Sequence, residues 1–307
     1  MPKAYVYTRH GGPEAEAFAD VDRPSPGPGE LLIAVRAAGV NPVDWKLRGG
    51  LRLPGAAEPV FPVVFGSEAA GVVEELGEGV TGFAVGDEVF GNTVGGAFAE
   101  HALLPAAVTA HKPAALSFTD AATLPVAAAT AYDGVRQLGL PEGATLLITG
   151  AGGGVGAAAV QIARAWGLRV VGLASEAKKE FVESLGAVHV PSGPGLAERV
   201  RAVAPEGVDG VYDLVGGEVL TEAADLLADR TGLITAGAAP ETVAALGGAR
   251  VERARTAAVL DEVAELVVGG ELDPHVSATF PLDQADRALR AVEDGHARGK
   301  IVIEVAG

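Results

Sequence analysis

TLLITGAGGGVGAAAVQIARAWG, residues 145–167, is an apolar strand, a run of glycines and an alanine-rich helix in immediate succession. Ala151, Gly153 and Gly156 take the three spaced positions of a dinucleotide fingerprint, with alanine standing first. Small residues are needed there because the chain turns tightly, the backbone approaches a pyrophosphate, and the helix packs close to its strand. The helix start adds unpaired N–H groups and the positive end of a dipole. Gly150, Ala151, Gly152, Gly153, Gly154, Val155 and Gly156 are therefore the candidates for a phosphate-holding turn. A glycine run by itself is equally a flexible turn; the strand before it and the helix after it give it a ligand.

Downstream the same rhythm continues. RVVGLAS (169–175) reads as a strand, EAKKEFVESLG (176–186) as a helix and VHV (188–190) as a short strand. GLAERVRAVAP, VDGVYDLVG, EVLTEAADLLAD and GLITAGA then alternate helix and strand up to residue 238. Alternating strands and helices of this kind form a doubly wound parallel sheet covered on both faces, an α/β fold. The end of the second strand selects the dinucleotide, because an NAD enzyme usually places an acidic residue there for the ribose hydroxyl. Ser175 stands at that edge, followed by Lys178 and Lys179, a set suited to a 2′-phosphate. NADPH is the expected cofactor. Glu176 dissents, and its other role is to complement the dipole of the helix it opens.

Upstream the texture differs. LLIAVRAAGV (31–40), AAGVVEEL (69–76) and GDEVFG (86–91) are short apolar strands separated by turn-rich segments such as PSPGPGE. That density of turns predicts a twisted antiparallel barrel. SFTDAATLPVAAATAYDGVRQLG (117–139) predicts helices interrupted at Pro125, and TAAVLDEVAELVVGG (256–270) an amphipathic helix. GKIVIEV (299–305) reads as a last strand returning to the first domain. The expected division is a substrate domain at 1–120, completed by 271–307, and a nucleotide domain at 121–270.

Composition narrows the function. Forty acidic against 23 basic residues give a net charge of −17, a field that repels nucleic acid and anionic lipid. No apolar run is long enough for a membrane span and no secretory leader is visible, so cytoplasm is the expected location. There is no cysteine, which removes disulfides, thiolate nucleophiles and cysteine-ligated zinc.

AAGVNPVDWKLRGG (37–50), FGSEAAGVV (65–73), VGDEVFG (85–91), LPVAAATAY (124–132), the glycine turn and GHARGKIVIEV (295–305) together resemble the medium-chain dehydrogenase/reductase superfamily, in its quinone oxidoreductase, zeta-crystallin-like branch. The resemblance implies a GroES-like domain joined to a Rossmann domain, and a homodimer. The three catalytic zinc ligands of the family's alcohol dehydrogenases would fall at Asn41, Ser67 and Val126, none of them a competent soft ligand. Asp44 and Glu68 keep their family places. The implied activity is zinc-free reduction of a quinone or an α,β-unsaturated carbonyl, a small electrophilic acceptor that spreads incoming charge by conjugation. The alternatives are a stand-alone enoyl-thioester reductase and a non-catalytic NADPH-binding protein.

By the same resemblance Asn41 faces the nicotinamide pocket, and its amide is placed to bond the acceptor carbonyl; its other reading is the start of a turn before Pro42. Lys46 is the candidate for stabilising an enolate or relaying a proton, or else an exposed lysine, and Asp44 holds Lys46 or caps a short helix. Thr130 and Tyr132 match the segment that reaches nicotinamide and phosphates, Val215 and Gly216 the adenosine-side turn, and Ala236 and Gly237 the strand end beside the nicotinamide. Arg298 and Lys300 are candidates to meet the cofactor, or belong to a solvated loop.

Overall fold

In the computed structural model, residues 1–52, 55, 57–295 and 297–306 are described; His296 of the closing motif, three positions of the 45–60 loop and Gly307 lie outside the described residues. The first 111 residues run through β1 (Lys3–Tyr7), β2 (Glu16–Asp20), β3 (Glu30–Val40), helix α1 (Pro42–Arg48), β4 (Val63–Val64), β5 (Glu68–Leu76), β6 (Glu88–Asn92), β7 (His101–Pro105) and β8 (Thr109–His111). β2, β1 and β4 make a small sheet, and β3, β5, β6 and β8 pair antiparallel within a larger seven-stranded sheet, which a parallel pair from the end of the chain extends. β3 is its spine. One side pairs along most of its length with β5, with two irregularities of register, and its first half pairs with β7 on the other side. Leu31, Leu32, Ile33 and Val35 are buried along it, since both faces of this strand are covered.

α2 (Phe118–Ala121) opens on Ser117, whose hydroxyl accepts from the Asp120 N–H at 3.0 Å. The break expected at Pro125 takes the form of a π-helical turn over Leu124–Ala128, and α3 (Ala129–Leu138) follows, ending at Gly139 in the left-handed conformation. Next come β9 (Thr145–Thr149), α4 (Gly154–Ala165), β10 (Arg169–Ala174), α5 (Lys179–Ser184), β11 (Val188–Pro191), α6 (Leu196–Val203), β12 (Gly210–Asp213), α7 (Gly217–Ala224), β13 (Leu233–Thr235), α8 (Pro240–Ala245) and β14 (Ala249–Arg250). The six strands are all parallel, in the order β11-β10-β9-β12-β13-β14. That is the Rossmann-type doubly wound arrangement, with strand order reversing between β9 and β12. Every residue of β9 is buried, as a central strand covered on both faces requires. Of the segment ARVERARTAAV, only Ala249–Arg250 is strand, at the edge of this sheet.

α9 (Ala257–Val268), β15 (Val276–Pro281), α10 (Ala285–Glu293) and β16 (Lys300–Glu304) complete the chain. β16 pairs with the second half of β3, Ile301 opposite Val40, so the last strand does rejoin the first sheet. Two compact units result: Met1–Val126 with Arg255–Val268 and Val276–Gly307, and Ala127–Ala254 with Gly269–His275. The first is the GroES-like unit and the second the Rossmann unit. The grouping differs from the expected division at residues 121–126 and at α9, which fall in the first unit, and at 271–275, which fall in the second. The buried Val259, Leu260, Val263 and Ala264 of α9 belong to a helix packed on β8. An amphipathic stripe says that a helix has a partner without saying which.

α1 is anchored from its C-terminal end. Arg48 is 3% exposed; its guanidinium meets Glu16 of β2 and, at 2.7 Å, Glu293 of α10, while Nε donates to the Gly11 carbonyl at 3.1 Å. Glu16 also accepts from the Tyr5 hydroxyl at 2.5 Å. Removing the guanidinium strands a buried carboxylate, and Glu293 is wetter than Glu16, so Arg48→Met is expected to cost about 3 kcal/mol, the low end for a buried pair. Urea denaturation of the two proteins measures it; a difference within error would show that the pair does not hold α1.

Candidate functional site

In the Rossmann unit the glycine turn leaves β9 through Gly150, whose φ of +68° is in the left-handed region. A Cβ on Gly156 would sit 2.2 Å from the Gly150 carbonyl oxygen, so α4 lies this close to the turn only because residue 156 has no side chain. A Cβ on Gly153 would find its nearest neighbour at 3.5 Å, leaving open room over the helix start. Among the described residues no side-chain cap forms on α4, a 12-residue helix opening on Gly153, so the N–H groups at its start are left to a ligand or water. This cradle fits a dinucleotide diphosphate. Ala151 is buried and donates its N–H to the Leu173 carbonyl, tying the turn to β10.

At the end of β10, Ser175 and Glu176 are exposed and begin a short 3₁₀ turn; Lys179 is exposed at the start of α5. Lys178 reaches back. Its stem lies where a Cβ on Gly152 would be, and its ammonium donates to the Gly152 carbonyl at 3.3 Å. Thr130 is buried at the start of α3, where its carbonyl accepts from the Tyr212 hydroxyl at 2.7 Å, and Tyr132 stands edge-on to Trp166.

The turns after β12 and β13 share one organiser that the sequence did not single out, the aspartate that ends β12. Asp213 is fully buried and accepts from the hydroxyls of Thr149 at 2.7 Å and Thr235 at 2.6 Å, and from the N–H groups of Val215 and Gly216. The two threonines then accept in their turn, Thr149 from Leu214 N–H and Thr235 from the N–H groups of Gly237 and Ala238. Ala236 donates to the Asp213 carbonyl. Thus Val215, Gly216, Ala236 and Gly237 are brought together at the carboxyl ends of adjacent strands. The signal for Asp213 was present only as an acidic residue closing an apolar strand.

In the GroES-like unit the candidates at the β3–α1 junction form a buried polar cluster. Asn41 is the N-cap of α1 and Asp44 its third residue; the Asn41 N–H donates to Asp44 at 2.8 Å, half of a reciprocal capping box. The Asn41 amide donates to Glu68 Oε1 at 2.7 Å, and its oxygen accepts from Lys300 Nζ at 2.6 Å. Lys300 also donates to Glu68 Oε1 at 2.9 Å and to the Val40 carbonyl at 3.1 Å. The Val126 N–H donates to Glu68 Oε2 at 2.7 Å, and Ser67 donates to Asp44 at 3.4 Å. Glu68 and Lys300 are 0% and 4% exposed. Lys300 is therefore a member of this cluster, its ammonium protons committed to Val40, Asn41 and Glu68, rather than part of a solvated loop or a side chain turned to the cofactor. Asp44 does not hold Lys46: that side chain is exposed, its ammonium 5.6 Å from the Trp45 ring centroid. Arg298 is exposed.

The donor chemistry here does not suit zinc. An amide already bonded to an ammonium, a hydroxyl and an aliphatic side chain occupy the three positions, and among the described residues no group of three or more His, Cys, Asp or Glu is arranged to hold a metal ion.

Residues 27–114 match the family model described as alcohol dehydrogenase GroES-like domain, and residues 185–303 the model described as zinc-binding dehydrogenase. Among curated proteins the chain is 32% identical to the mitochondrial NAD(P)H oxidoreductase RTN4IP1 of Homo sapiens, over 91% of this chain and 82% of that one. Among solved structures it superposes with TM-score 0.89 on the quinone oxidoreductase from Coxiella burnetii, at 29% identity and 99% coverage of both chains. It also superposes with TM-score 0.88 on the mycobacterial protein Rv1454c complexed with NADPH, at 29% identity, covering 99% of this chain and 100% of that one. The chain belongs to the medium-chain dehydrogenase/reductase superfamily, with quinone oxidoreductases among its relatives, and is a nicotinamide-dependent oxidoreductase.

Burial pushes the Asp44 carboxyl up to about 7; the Asn41 N–H and Lys300 pull the other way, and Glu68 adds to the rise. The folded state therefore binds a proton that the unfolded chain releases near pH 4, so Asp44 favours folding at low pH and this contribution is lost as pH rises from about 4 to 7. The full difference is on the order of 4 kcal/mol. Asp44→Asn, which keeps an oxygen for the Asn41 N–H, is expected to flatten that slope and to raise the melting temperature at pH 8. Parallel slopes for the two proteins across this range would refute the assignment.

Proposed function

We propose that the protein transfers hydride from NADPH to a quinone or an α,β-unsaturated carbonyl compound without a metal. The observation that carries this reading is the Asn41–Glu68–Lys300 cluster, where an ammonium ion matched to a buried carboxylate stands among the residues that replace zinc ligands. A divalent cation brought beside Lys300 would face like charge. Without a Lewis acid, activating an alcohol at neutral pH is difficult, whereas a conjugated acceptor needs alignment and a few hydrogen-bond donors.

The bound dinucleotide supplies the hydride. Gly150–Gly156 hold its diphosphate, Lys178 and Ser175 favour a 2′-phosphate, and Thr130, Tyr132, Val215, Gly216, Ala236, Gly237 and Arg298 complete its surroundings. Asn41 offers an amide N–H to the acceptor carbonyl, which lowers the energy of the charge that develops there. Lys46, exposed on α1, returns a proton to the reduced acceptor and is recharged from solvent. The reading places the protein in the cytoplasm as a homodimer acting on free small molecules. Among the described residues no helix is long and apolar enough to cross a membrane.

Steady-state assays with NADPH against benzoquinones, naphthoquinones, short alkenals and cyclic enones test the reading. Turnover is expected with at least one class, unaffected by chelators and weaker with NADH, and Lys46→Ala is expected to slow it by at least about tenfold. Tight NADPH binding with no turnover would make this a cofactor-binding protein instead. Turnover confined to enoyl thioesters would replace the acceptor class, and an unchanged rate in Lys46→Ala would remove that residue from the mechanism.

A further inference from the structure

The Asn41 carboxamide is fixed from both ends. Its oxygen accepts from Lys300 at 2.6 Å, a short charge-assisted bond. One N–H donates to Glu68 Oε1 at 2.7 Å, and among the described residues the other finds only the Gly39 carbonyl, at 3.4 Å. The donors and acceptors around it leave one assignment of oxygen and nitrogen, because an ammonium only donates and a carboxylate accepts. A positive charge on the amide oxygen draws electron density from the nitrogen and makes both N–H groups stronger donors, an effect enlarged where water is excluded. The weakly used N–H is then the proton left for an incoming carbonyl.

We propose that Lys300 is the positioning residue of the reduction: its ammonium orients and polarises Asn41, so that a neutral amide performs the electrophilic task a metal ion performs elsewhere in the superfamily. This rests on the reading of Asn41 as the donor to the acceptor carbonyl. Lys300 touches neither acceptor nor cofactor in this scheme. Glu68 keeps the ammonium in place and takes the other N–H.

The chain has two asparagines, Asn41 and Asn92, which makes a direct test practical. Labelling with asparagine carrying ¹⁵N in its side-chain amide gives two NH₂ signals, and Asn92→Ser assigns them. Asn92, whose amide donates to the Ser67 carbonyl at 3.2 Å, serves as the ordinary reference. In the unsubstituted protein the Asn41 signal is expected downfield of it. Lys300→Met leaves Glu68 buried and unmatched and is expected to lower the melting temperature; the double variant Lys300→Met/Glu68→Gln removes both charges and is expected to restore it. In the double variant the Asn41 signal is expected to move upfield toward that of Asn92. Its kcat for the best acceptor is expected to fall by about 10²-fold, the scale of losing one donor to a developing oxyanion, with the KM for NADPH within about twofold.

An Asn41 signal unmoved in the double variant overturns the proposal, and so does a kcat that recovers together with the melting temperature, since a structural ion pair would behave in that way. If the unsubstituted protein turns over none of the acceptors, the proposed function fails. The amide signal, compared between the double variant and Glu68→Gln alone, in both of which the N–H faces a neutral side chain, then still decides whether Lys300 polarises Asn41.

Discussion

A carboxylate without access to water must be matched within its own shell, and much of the GroES-like unit is arranged around one, Glu68. Its two oxygens accept from an amide on the β3–α1 junction, an ammonium on β16 and a backbone N–H after α2. Those three segments can converge because β3 lies between β5 and β16, which puts Val40, Glu68 and Lys300 near the same end of the sheet. Convergence also needs room. A Cβ on Gly39 would lie 2.2 Å from Glu68 Oε1 and 2.5 Å from the Ala122 carbonyl, so the strand can pass only as glycine.

The Rossmann unit solves a similar problem with neutral partners. Asp213 is as deeply buried as Glu68, but its charge is spread over two threonine hydroxyls and the backbone of its own turn. Each threonine passes the influence on by accepting from the next loop. One carboxylate thereby sets the shape of the turns where adjacent parallel strands end, the edge at which doubly wound sheets bind ligands. Where Glu68 holds a cation in place, Asp213 holds backbone in place.

Features written in consecutive residues were legible in the sequence. The glycine turn was readable because its meaning depends on the strand and helix beside it, and the alternation after residue 145 led directly to a parallel sheet. Turn density announced the β-rich first half, and the apolar run at 299–305 announced a closing strand. Features that depend on contact in space were not. α9 carries an apolar stripe without an address, and a sequence-based boundary placed it apart from β8, on which it packs. Lys300, by resemblance a candidate to meet the cofactor or part of a solvated loop, has its side-chain partners 232 and 259 positions away, at a separation no local pattern reports. Arg48 carried no signal at all, since an arginine ending a short helix is usually at the surface, whereas here it is buried between two glutamates. Lys46, only two residues earlier, is the exposed one.

The long reach of the Lys300 contacts bears on how the molecule matures. The βαβ units of the parallel sheet are joined by neighbours in the chain, while the β3–β16 pairing must close a loop of more than 250 residues, and such closures are slow to form. A folding intermediate that has its nucleotide cradle but lacks β16 would carry Glu68 unneutralised and Asn41 unoriented. The parallel sheet can thus form before the Glu68 cluster is complete, and docking of the final strand is the step that closes it.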